Sequence, residues 1–189
     1  MAKSFVQEYD NTINSIIKYG GFYIGRYELS NEGVQSKKES ITNKNWYELY
    51  EKCTKLKASE KVESQMIWGI QWDLACDFIS KKGEKKSIRN ATTWANYKNS
   101  TGDAAIKLIE NGQEVQKYGS KQVTGYSEYW KANNIYDLAG NCTEFTQEAA
   151  SGTGFRSARG GSCDRIGYAP YIRSNSGPGN SSGFLRFTS

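Results

Sequence analysis

Few residues of the types that carry out catalytic chemistry occur in this chain. Its 189 residues include no histidine, which excludes Ser-His-Asp and Cys-His catalysis, His-ligated zinc or iron, and proton transfer by imidazole. The four cysteines form no C-x-x-C pair and are too scattered for a disulfide scaffold; they are Cys53, Cys76, Cys142 and Cys163. Cys53 and Cys76 fall on apolar helix faces, which predicts buried free thiols. An enzyme built on this sequence would have to use carboxylate, thiol or lysine chemistry.

The amino-acid composition changes sharply at residue 149. The 41 residues of 149–189 contain no Lys, Glu, Gln, Met or Trp, although these five types fill 47 of the preceding 148 positions. In this tail Arg is the main base, and eight Gly and eight Ser separate single Tyr, Phe, Ile and Asn residues. Tyrosine gives contact area at low entropic cost, Ser, Gly and Asn give adaptable hydrogen bonds, and Arg gives planar charged recognition. The tail therefore resembles an antibody-like contact surface, with a glycine-rich end of a β domain as the alternative.

Charge and hydropathy exclude two classes of partner. The net charge is +5, and the tail holds five Arg against one Asp, but these bases are single and spaced, without the cluster or stripe that follows a nucleic-acid backbone. No apolar run approaches the ~20 residues of a membrane span, and 1–17 lacks the apolar core of a signal peptide. We therefore expect no nucleic-acid binding, no membrane insertion and no visible export signal.

Two amphipathic helices and several short strands are predicted to position these residues. Apolar side chains recur at helical spacing over 40–57 and 70–82, and the second helix should point Trp72, Ala75, Phe78 and Ile79 inward. Stretches rich in β-forming residues predict strands over 19–29, 135–146, 154–162, 168–174 and 183–188. The weak periodicity of 83–129 predicts long ordered loops. The length favours one domain, 1–189, with 1–18 as an N-terminal extension.

Three motifs in this order resemble the formylglycine-generating enzyme (sulfatase-modifying factor) family. They are Gly-Gly-Phe-Tyr-Ile-Gly-Arg-Tyr-Glu at 20–28, Asn-Ile-Tyr-Asp-Leu-Ala-Gly-Asn-Cys-Thr-Glu-Phe-Thr at 134–146 and Arg-Gly-Gly-Ser at 159–162. Thr143 and Phe145 replace the two tryptophans usual in the family. The resemblance implies an α+β protein with a C-type lectin-like fold of the formylglycine-generating enzyme type. Such a fold would pack the two helices on a small, mostly antiparallel sheet with long ordered loops.

The chemistry of that family is not matched here. Its oxidising members use two cysteines shortly after Arg-Gly-Gly-Ser as a copper site, whereas only Cys163 follows Ser162 in this chain. Another branch binds iron through histidines, which are absent. We therefore expect that this chain has the fold of the family without its catalytic activity, since function resides in sites and not in folds. The enzymatic alternative is a divergent oxidoreductase that uses Cys163 as a lone nucleophile. The non-catalytic interpretation of Cys163 is a thiol at a variable surface position.

The resemblance also implies a structural Ca²⁺ beside the Gly-Asn turn, with no other cofactor required. At the matching positions, Asp137 and Glu144 would supply side-chain oxygens, and Gly140 and Cys142 would supply carbonyl oxygens, a set suited to a hard cation. The alternative interpretation is that Asp137 caps a turn and that Glu144 accepts hydrogen bonds from the turn.

A subset of this fold family comprises the variable proteins of diversity-generating retroelements, to which this chain is most similar. Mutagenesis of template adenines rewrites their C-terminal codons, and adenine-rich codons ending in a pyrimidine never become Lys, Glu, Gln, Met or Trp. Those five types are the ones missing from 149–189. The resemblance therefore implies a non-catalytic protein, in a phage or a microbe, whose region 155–189 is diversified to recognise a macromolecular target.

Specific residues and partners follow from that resemblance. The target would be a protein or glycan on a cell surface, such as a receptor, and the protein would be displayed on a virion or a cell surface. The expected contact residues mix aromatic anchors, planar charge and small polar groups: Cys163, Asp164, Arg165, Ile166, Tyr168, Tyr171, Arg173, Asn175 and Asn180. Tyr168 and Tyr171 could instead be core aromatics. A third functional class, a virion or scaffold structural domain without a variable ligand, and the oligomeric state both stay open.

Overall fold

Three α-helices and ten short strands form the described part of the chain. The computed structural model describes residues 2–56, 62–82, 84, 86–116, 119–150, 154–167, 169–177, 184–185 and 187–188. The helices are α1 (Ala2–Tyr19), α2 (Trp46–Lys55) and α3 (Gly69–Lys81). The strands are β1 (Gln65–Met66), β2 (Lys107–Glu110), β3 (Gln113–Gln116), β4 (Lys131–Ala132), β5 (Ile135–Tyr136), β6 (Glu144–Ala149), β7 (Arg156–Arg159), β8 (Ser174–Ser176), β9 (Phe184–Leu185) and β10 (Phe187–Thr188). The α+β class is confirmed, but the two predicted helices become three. Among the described residues, no helix combines the length and apolarity needed to cross a bilayer.

Helix α1 (Ala2–Tyr19) lies in the polar N-terminal segment, for which the sequence predicted no regular element. Phe5 stacks on Tyr50 with ring centroids 5.7 Å apart and meets the edge of Trp68 at 5.5 Å. One turn further along the same face, the Glu8 carboxylate accepts a hydrogen bond from the Tyr50 hydroxyl. These residues are three apart, so they lie on one face of a helix. The segment thus contributes to the packing of the domain.

Helix α2 begins at a capping box and not at the predicted residue 40. The Glu48 N–H donates to Asn45 Oδ1 at 3.0 Å, and the Asn45 N–H donates to Glu48 Oε2 at 2.9 Å. This reciprocal pair satisfies backbone donors that a helix start leaves open. The residues before it are held elsewhere, since the Ile41 N–H donates to the Leu29 carbonyl at 2.9 Å.

Helix α3 agrees with the prediction to within one residue at each end. Trp72, Ala75 and Ile79 are buried as predicted. Phe78 is 54% exposed, which contradicts the inward orientation predicted for it. At 100° per residue, the buried face centres near Trp72 and Ile79, and Phe78 turns with Leu74 to the opposite side. Helical spacing alone did not distinguish these two faces.

The strand predicted over 19–29 is wrong, because successive backbone groups of this segment bond to different parts of the chain. The Tyr136 N–H donates to the Arg26 carbonyl at 2.9 Å. Two residues later, the Glu28 N–H donates to the Thr124 hydroxyl at 3.1 Å. A strand requires one partner over consecutive residues, and here the partner changes. The segment is irregular, and its hydrogen bonds connect it to two different segments of the chain.

The predicted loop region 83–129 contains a β-hairpin. Strands β2 and β3 pair in antiparallel register around Asn111 and Gly112, whose φ values are 53° and 77°. Asn-Gly with both φ values positive is the favoured two-residue hairpin turn, so this signal was present in the sequence. Short 3₁₀ turns occupy Gly102–Ala104 and Glu128–Trp130. The rest of the described region is irregular, as predicted.

The main sheet has four strands in the order β8-β7-β6-β9. Strands β6, β7 and β8 pair antiparallel, whereas β9 joins β6 in parallel. Strand β7 confirms the prediction over 154–162, and the predicted strand 135–146 becomes β5 and the start of β6. The interruption follows from Asp137, Gly140 and Asn141, whose φ values of 55°, 72° and 54° are incompatible with an extended strand. The predicted strand 168–174 is displaced to β8.

Buried side chains form two principal clusters, one around α3 and one around α2. The first includes Trp72, Cys76 and Ile79, and the second includes Trp46, Leu49 and Cys53. Cys53 and Cys76 are buried free thiols, as predicted. Buried indoles also make directed bonds: the Trp46 N–H donates to the Thr146 carbonyl at 2.9 Å.

The turn at Gly140 and Asn141 joins several loops in the interior. The buried Asn141 Nδ2 donates to Glu28 Oε2 at 2.9 Å and to the Gln122 carbonyl at 3.1 Å. Its Oδ1 accepts from the Gln122 N–H at 2.9 Å and from Asn96 Nδ2 at 3.1 Å. One side chain therefore makes four hydrogen bonds to three separate segments. A Cβ at Gly140 would stand 2.3 Å from the Asn96 carbonyl oxygen, so only glycine fits beside it.

We predict that Asn141→Ala lowers the free energy of unfolding by about 3 kcal/mol, because it leaves several buried polar groups without a partner. Urea denaturation of both variants would measure this. Asn43→Ala is the matched control, since Asn43 is exposed and has a φ of 56°. It should lose only the preference of Asn for positive φ, about 1 kcal/mol. Equal losses in the two variants would contradict a role for the hydrogen bonds.

Candidate functional site

The segment 162–172, here called the contact loop, is attached to the scaffold through its backbone. The Cys163 N–H donates to the Asn141 carbonyl at 3.0 Å. The Lys98 N–H donates to the Arg165 carbonyl at 2.9 Å, and the Gly167 N–H donates to Asn99 Oδ1 at 2.6 Å. Because main-chain groups make these bonds, they survive a change of side chain in the loop. The described backbone of the loop is thus held independently of its surface residues.

Three predicted contact residues lie together on the exposed side of this loop. Asp164, Arg165 and Ile166 are exposed, and Ile166 is 69% accessible to solvent. The Asp164 carboxylate accepts a hydrogen bond from the Ser162 hydroxyl. An isoleucine this exposed on a well-attached loop is available for contact with a partner. These three residues are consecutive in the sequence, and the structure exposes all of them.

An open cleft of about 550 Å³ lies beside these residues. It is lined by Lys98, Asp164, Arg165, Ile166, Gly167 and Ile172. Lys98 and Ile172 were not among the predicted contact residues. Lys98 comes from a loop outside the compositionally distinct tail, and nothing in the sequence pattern connects it with residue 165. Ile172 lies in the tail, and its position between Tyr171 and Arg173, both predicted contact residues, could have indicated it.

The other predicted contact residues are dispersed. Asn175 is exposed on β8, and Tyr171 is 40% exposed, which favours its interpretation as a surface residue over a core residue. Tyr168 and Asn180 lie outside the described residues. Among the predicted contact residues that the structure describes, Asp164, Arg165 and Ile166 line the cleft, whereas Asn175 belongs to a strand of the main sheet.

Arg173 takes part in an ion-pair network that reaches the interior. Its guanidinium bonds to Glu148 Oε1 at 2.6 Å and also to the Asp73 carboxylate. The same two carboxylates hold Arg159, at 2.9 Å from Asp73 and 3.1 Å from Glu148. Arg159 is 1% exposed and also donates to the Tyr171 carbonyl at 2.7 Å. Although Arg173 is half exposed, its guanidinium is therefore already paired with carboxylates of the scaffold.

Cys163 is not at the exposed surface position that the sequence suggested. Its side chain is buried, with 7% of the residue accessible. Burial, reinforced by the nearby Asp164 carboxylate, raises the pKa of Cys163 to about 11. Since the thiolate is the nucleophile, this environment opposes nucleophilic use of Cys163 at neutral pH. Burial likewise raises the pKa of Cys142, whose thiol also lies near Glu28 and Glu144.

Asp137 and Glu144, the carboxylates implied for calcium, are both buried beside the turn at Gly140. Asp137 Oδ2 accepts from the Thr124 hydroxyl at 2.9 Å and from the Gly125 N–H at 2.8 Å. This is the turn-capping arrangement of the alternative interpretation. In the portion of the chain that the structure describes, no three His, Cys, Asp or Glu side chains come together as a metal-binding group. A calcium site completed by the Gly140 and Cys142 carbonyls stays a prediction.

We predict that Arg159→Met lowers the free energy of unfolding by about 3 kcal/mol, because it leaves Asp73 and Glu148 without their buried partner. Arg173→Met is the matched control and should cost less than about 1 kcal/mol, because solvent screens a half-exposed pair. Thermal and urea unfolding would give both values. Similar losses for the two substitutions would show that burial of Arg159 does not dominate the network.

We also predict slow alkylation of Cys163 in the native protein. A thiol with a pKa near 11 has about a hundredfold less thiolate at pH 7 than one with a pKa near 9. Iodoacetamide labelling followed by peptide mass spectrometry would measure the rate against pH, with the urea-denatured protein as the control. A native rate equal to the denatured rate at pH 7 would contradict the structure and reopen a role for this thiol.

Comparisons with known proteins support the fold. No protein-family model and no curated protein matches the sequence. Among solved structures, CarF is similar with a TM-score of 0.51 and 14% identity, over 79% of this chain and 67% of CarF. Variable protein 1 of Treponema denticola gives a TM-score of 0.47 and 16% identity, over 78% of this chain and 70% of that protein. The similarity to CarF confirms the predicted resemblance at the level of fold, as an α+β arrangement consistent with the C-type lectin-like type. The formylglycine-generating enzyme type of that fold stays a prediction.

Proposed function

We propose that this chain is a non-catalytic ligand-binding protein. Its C-terminal surface, 155–189, would be diversified by a retroelement for recognition of a macromolecular target such as a receptor on a cell surface. The observation that carries the proposal is the contact loop, which exposes Asp164, Arg165 and Ile166 beside a cleft while its backbone bonds to the scaffold. A rigid support with replaceable side chains is what a variable binding surface requires.

The composition of the tail supports diversification independently of the fold. The five residue types missing from 149–189 are those that adenine mutagenesis of pyrimidine-ending codons cannot produce. A glycine-rich end of a β domain would have fewer long polar residues, but that alternative gives no reason for the simultaneous absence of Met and Trp. The composition and the exposed loop therefore point to the same region.

Substitutions at positions that flank residues 164–166 would destabilise the fold. These flanking positions are therefore part of the supporting frame, in contrast to the positions proposed to be replaceable. A Cβ at Gly160, where φ is 79°, would lie 2.3 Å from Glu144 Oε2. A Cβ at Gly167 would lie 2.7 Å from the Thr92 methyl group. Arg159 is held by the buried ion-pair network. Residues 164–166 lie between these positions in the sequence, and their side chains are exposed.

The enzymatic alternative, an oxidoreductase using Cys163, receives no support from this geometry. Burial holds the pKa of this thiol well above neutrality, and no histidine exists to act as its base. Binding without catalysis is the function that the site supports best. Display on a virion or on a cell surface is part of the same proposal, because a receptor-binding surface must face its target.

The test is to sequence this gene in many isolates and to compare each codon with a nearby template copy. We expect substitutions at adenine-derived positions among Asp164, Arg165, Ile166, Tyr171 and Asn175. Residues 159–162 and Gly167 should stay unchanged and serve as the internal control. A uniform, low rate of substitution across the chain would contradict diversification and leave a fixed ligand as the remaining interpretation.

A further inference from the structure

The cleft beside the contact loop is lined by two basic side chains that form no ion pair with any described residue. Lys98 and Arg165 line it, and both are exposed. Throughout the described ranges, neither one forms an ion pair, whereas Lys81, Lys121 and Lys131 each bond to a carboxylate. A pair of unmatched cations at one cleft attracts an anionic group.

The one carboxylate among the described lining residues, and those of the neighbouring ion-pair network, already have partners. Asp164 lines the cleft, but its carboxylate accepts the Ser162 hydroxyl. Asp73 and Glu148 bind the guanidinium groups of Arg159 and Arg173. With one acid against two bases, the lining residues carry a net positive charge. An incoming anion would therefore find cationic donors that no acid of the described scaffold occupies.

The remaining described lining residues are two isoleucines and a glycine. Ile166 is 69% exposed and Ile172 is half-buried, and Gly167 between them adds no side chain. Covering these two isoleucines with an aliphatic group would remove apolar surface from water and so favour binding. The lining of the cleft thus combines cationic and aliphatic side chains.

We propose that the cleft binds an acidic side chain of a protein partner, with the aliphatic neighbour of that carboxylate lying on Ile166 and Ile172. This inference rests on the proposed binding function and adds the chemical class of the target. A carboxylate next to an aliphatic group matches both parts of the cleft. Two cations at one point give no track for a nucleic-acid backbone.

Lys98 lies outside the tail whose composition indicates diversification, so it would stay constant while Arg165 changes. A fixed cation in a variable surface gives all variants a shared preference for acidic partners, and the replaceable residues then determine which acidic partner binds. This separates a general electrostatic attraction from specific recognition.

The experiment is a titration of the ¹⁵N-labelled protein with 4-methylpentanoate, an aliphatic carboxylate, followed by amide chemical shifts. We expect saturable shifts at Arg165, Ile166, Gly167 and Ile172 with a Kd on the order of millimolar, as the small size of the probe dictates. The neutral 4-methylpentanamide should bind at least about fivefold more weakly. Equal binding of acid and amide, or no saturable shift in the cleft, would overturn the proposal. Tighter binding of inorganic phosphate than of the carboxylate would also overturn it, in favour of a phosphorylated or sulfated partner.

Substitutions assign the effect to the two cations. Lys98→Met and Arg165→Gln should each weaken binding of 4-methylpentanoate by about fivefold, and Asp164→Asn should strengthen it. Arg165→Asn, a change accessible to the diversified tail, should keep the preference for acid over amide through Lys98. Lys18→Met removes an equal charge from the end of α1 and should leave the affinity unchanged. If Lys18→Met and Lys98→Met weaken the binding of 4-methylpentanoate equally, the affinity depends on net charge alone, and the proposed site is wrong.

Failure of this titration and failure of the proposed function give different results. If the gene varies at 164–166 but the carboxylate does not bind, the surface is diversified without an acid preference. If the carboxylate binds at a cleft whose codons never vary, recognition of acids stands and diversification falls.

Discussion

The hydrogen bonds of one buried amide, that of Asn141, hold together a fold that has little regular structure. Its side chain reaches Glu28, Gln122 and Asn96, which belong to three loops far apart in sequence. Its backbone carbonyl accepts the Cys163 N–H at 3.0 Å, where the contact loop begins. Short strands of two to six residues supply few ladder bonds, so buried polar groups must find partners through such side chains. Position 141 therefore connects the stability of the scaffold directly to the presentation of the loop.

The far end of the contact loop is held by a different set of interactions. The Trp72 indole N–H donates to the Pro170 carbonyl at 2.8 Å, and the buried Arg159 donates to the Tyr171 carbonyl. At both ends of the contact loop the acceptor is a main-chain carbonyl, which every residue type provides. Anchoring at both ends limits the conformational entropy that the loop would lose on binding. Such anchoring would keep the fold constant if the surface residues are replaced, as the proposed function requires.

The sequence predicted best the elements whose burial repeats with the helical period. Helix α3 and most of α2 followed from their apolar spacing, and β7 followed from its short β-rich run. The segment 19–29 misled because its aromatic residues suit a strand, yet Arg26 and Glu28 bond to different loops. Helix α1 was missed because only one narrow face, including Phe5 and Glu8, packs on the core. The β2-β3 hairpin was missed although Asn111-Gly112 signalled it.

The sequence by itself determined the absence of histidine chemistry, the composition of 149–189 and the motifs that imply the fold, because these depend only on residue types and their order. Tertiary structure alone decided which tail residues face solvent. It buried Cys163, paired Arg173 with Asp73 and Glu148, and left Asp164, Arg165 and Ile166 exposed. It also brought Lys98 to the cleft from a distant loop. Such contacts join residues distant in the chain, and their geometry depends on the packing of the whole domain, which no local pattern records.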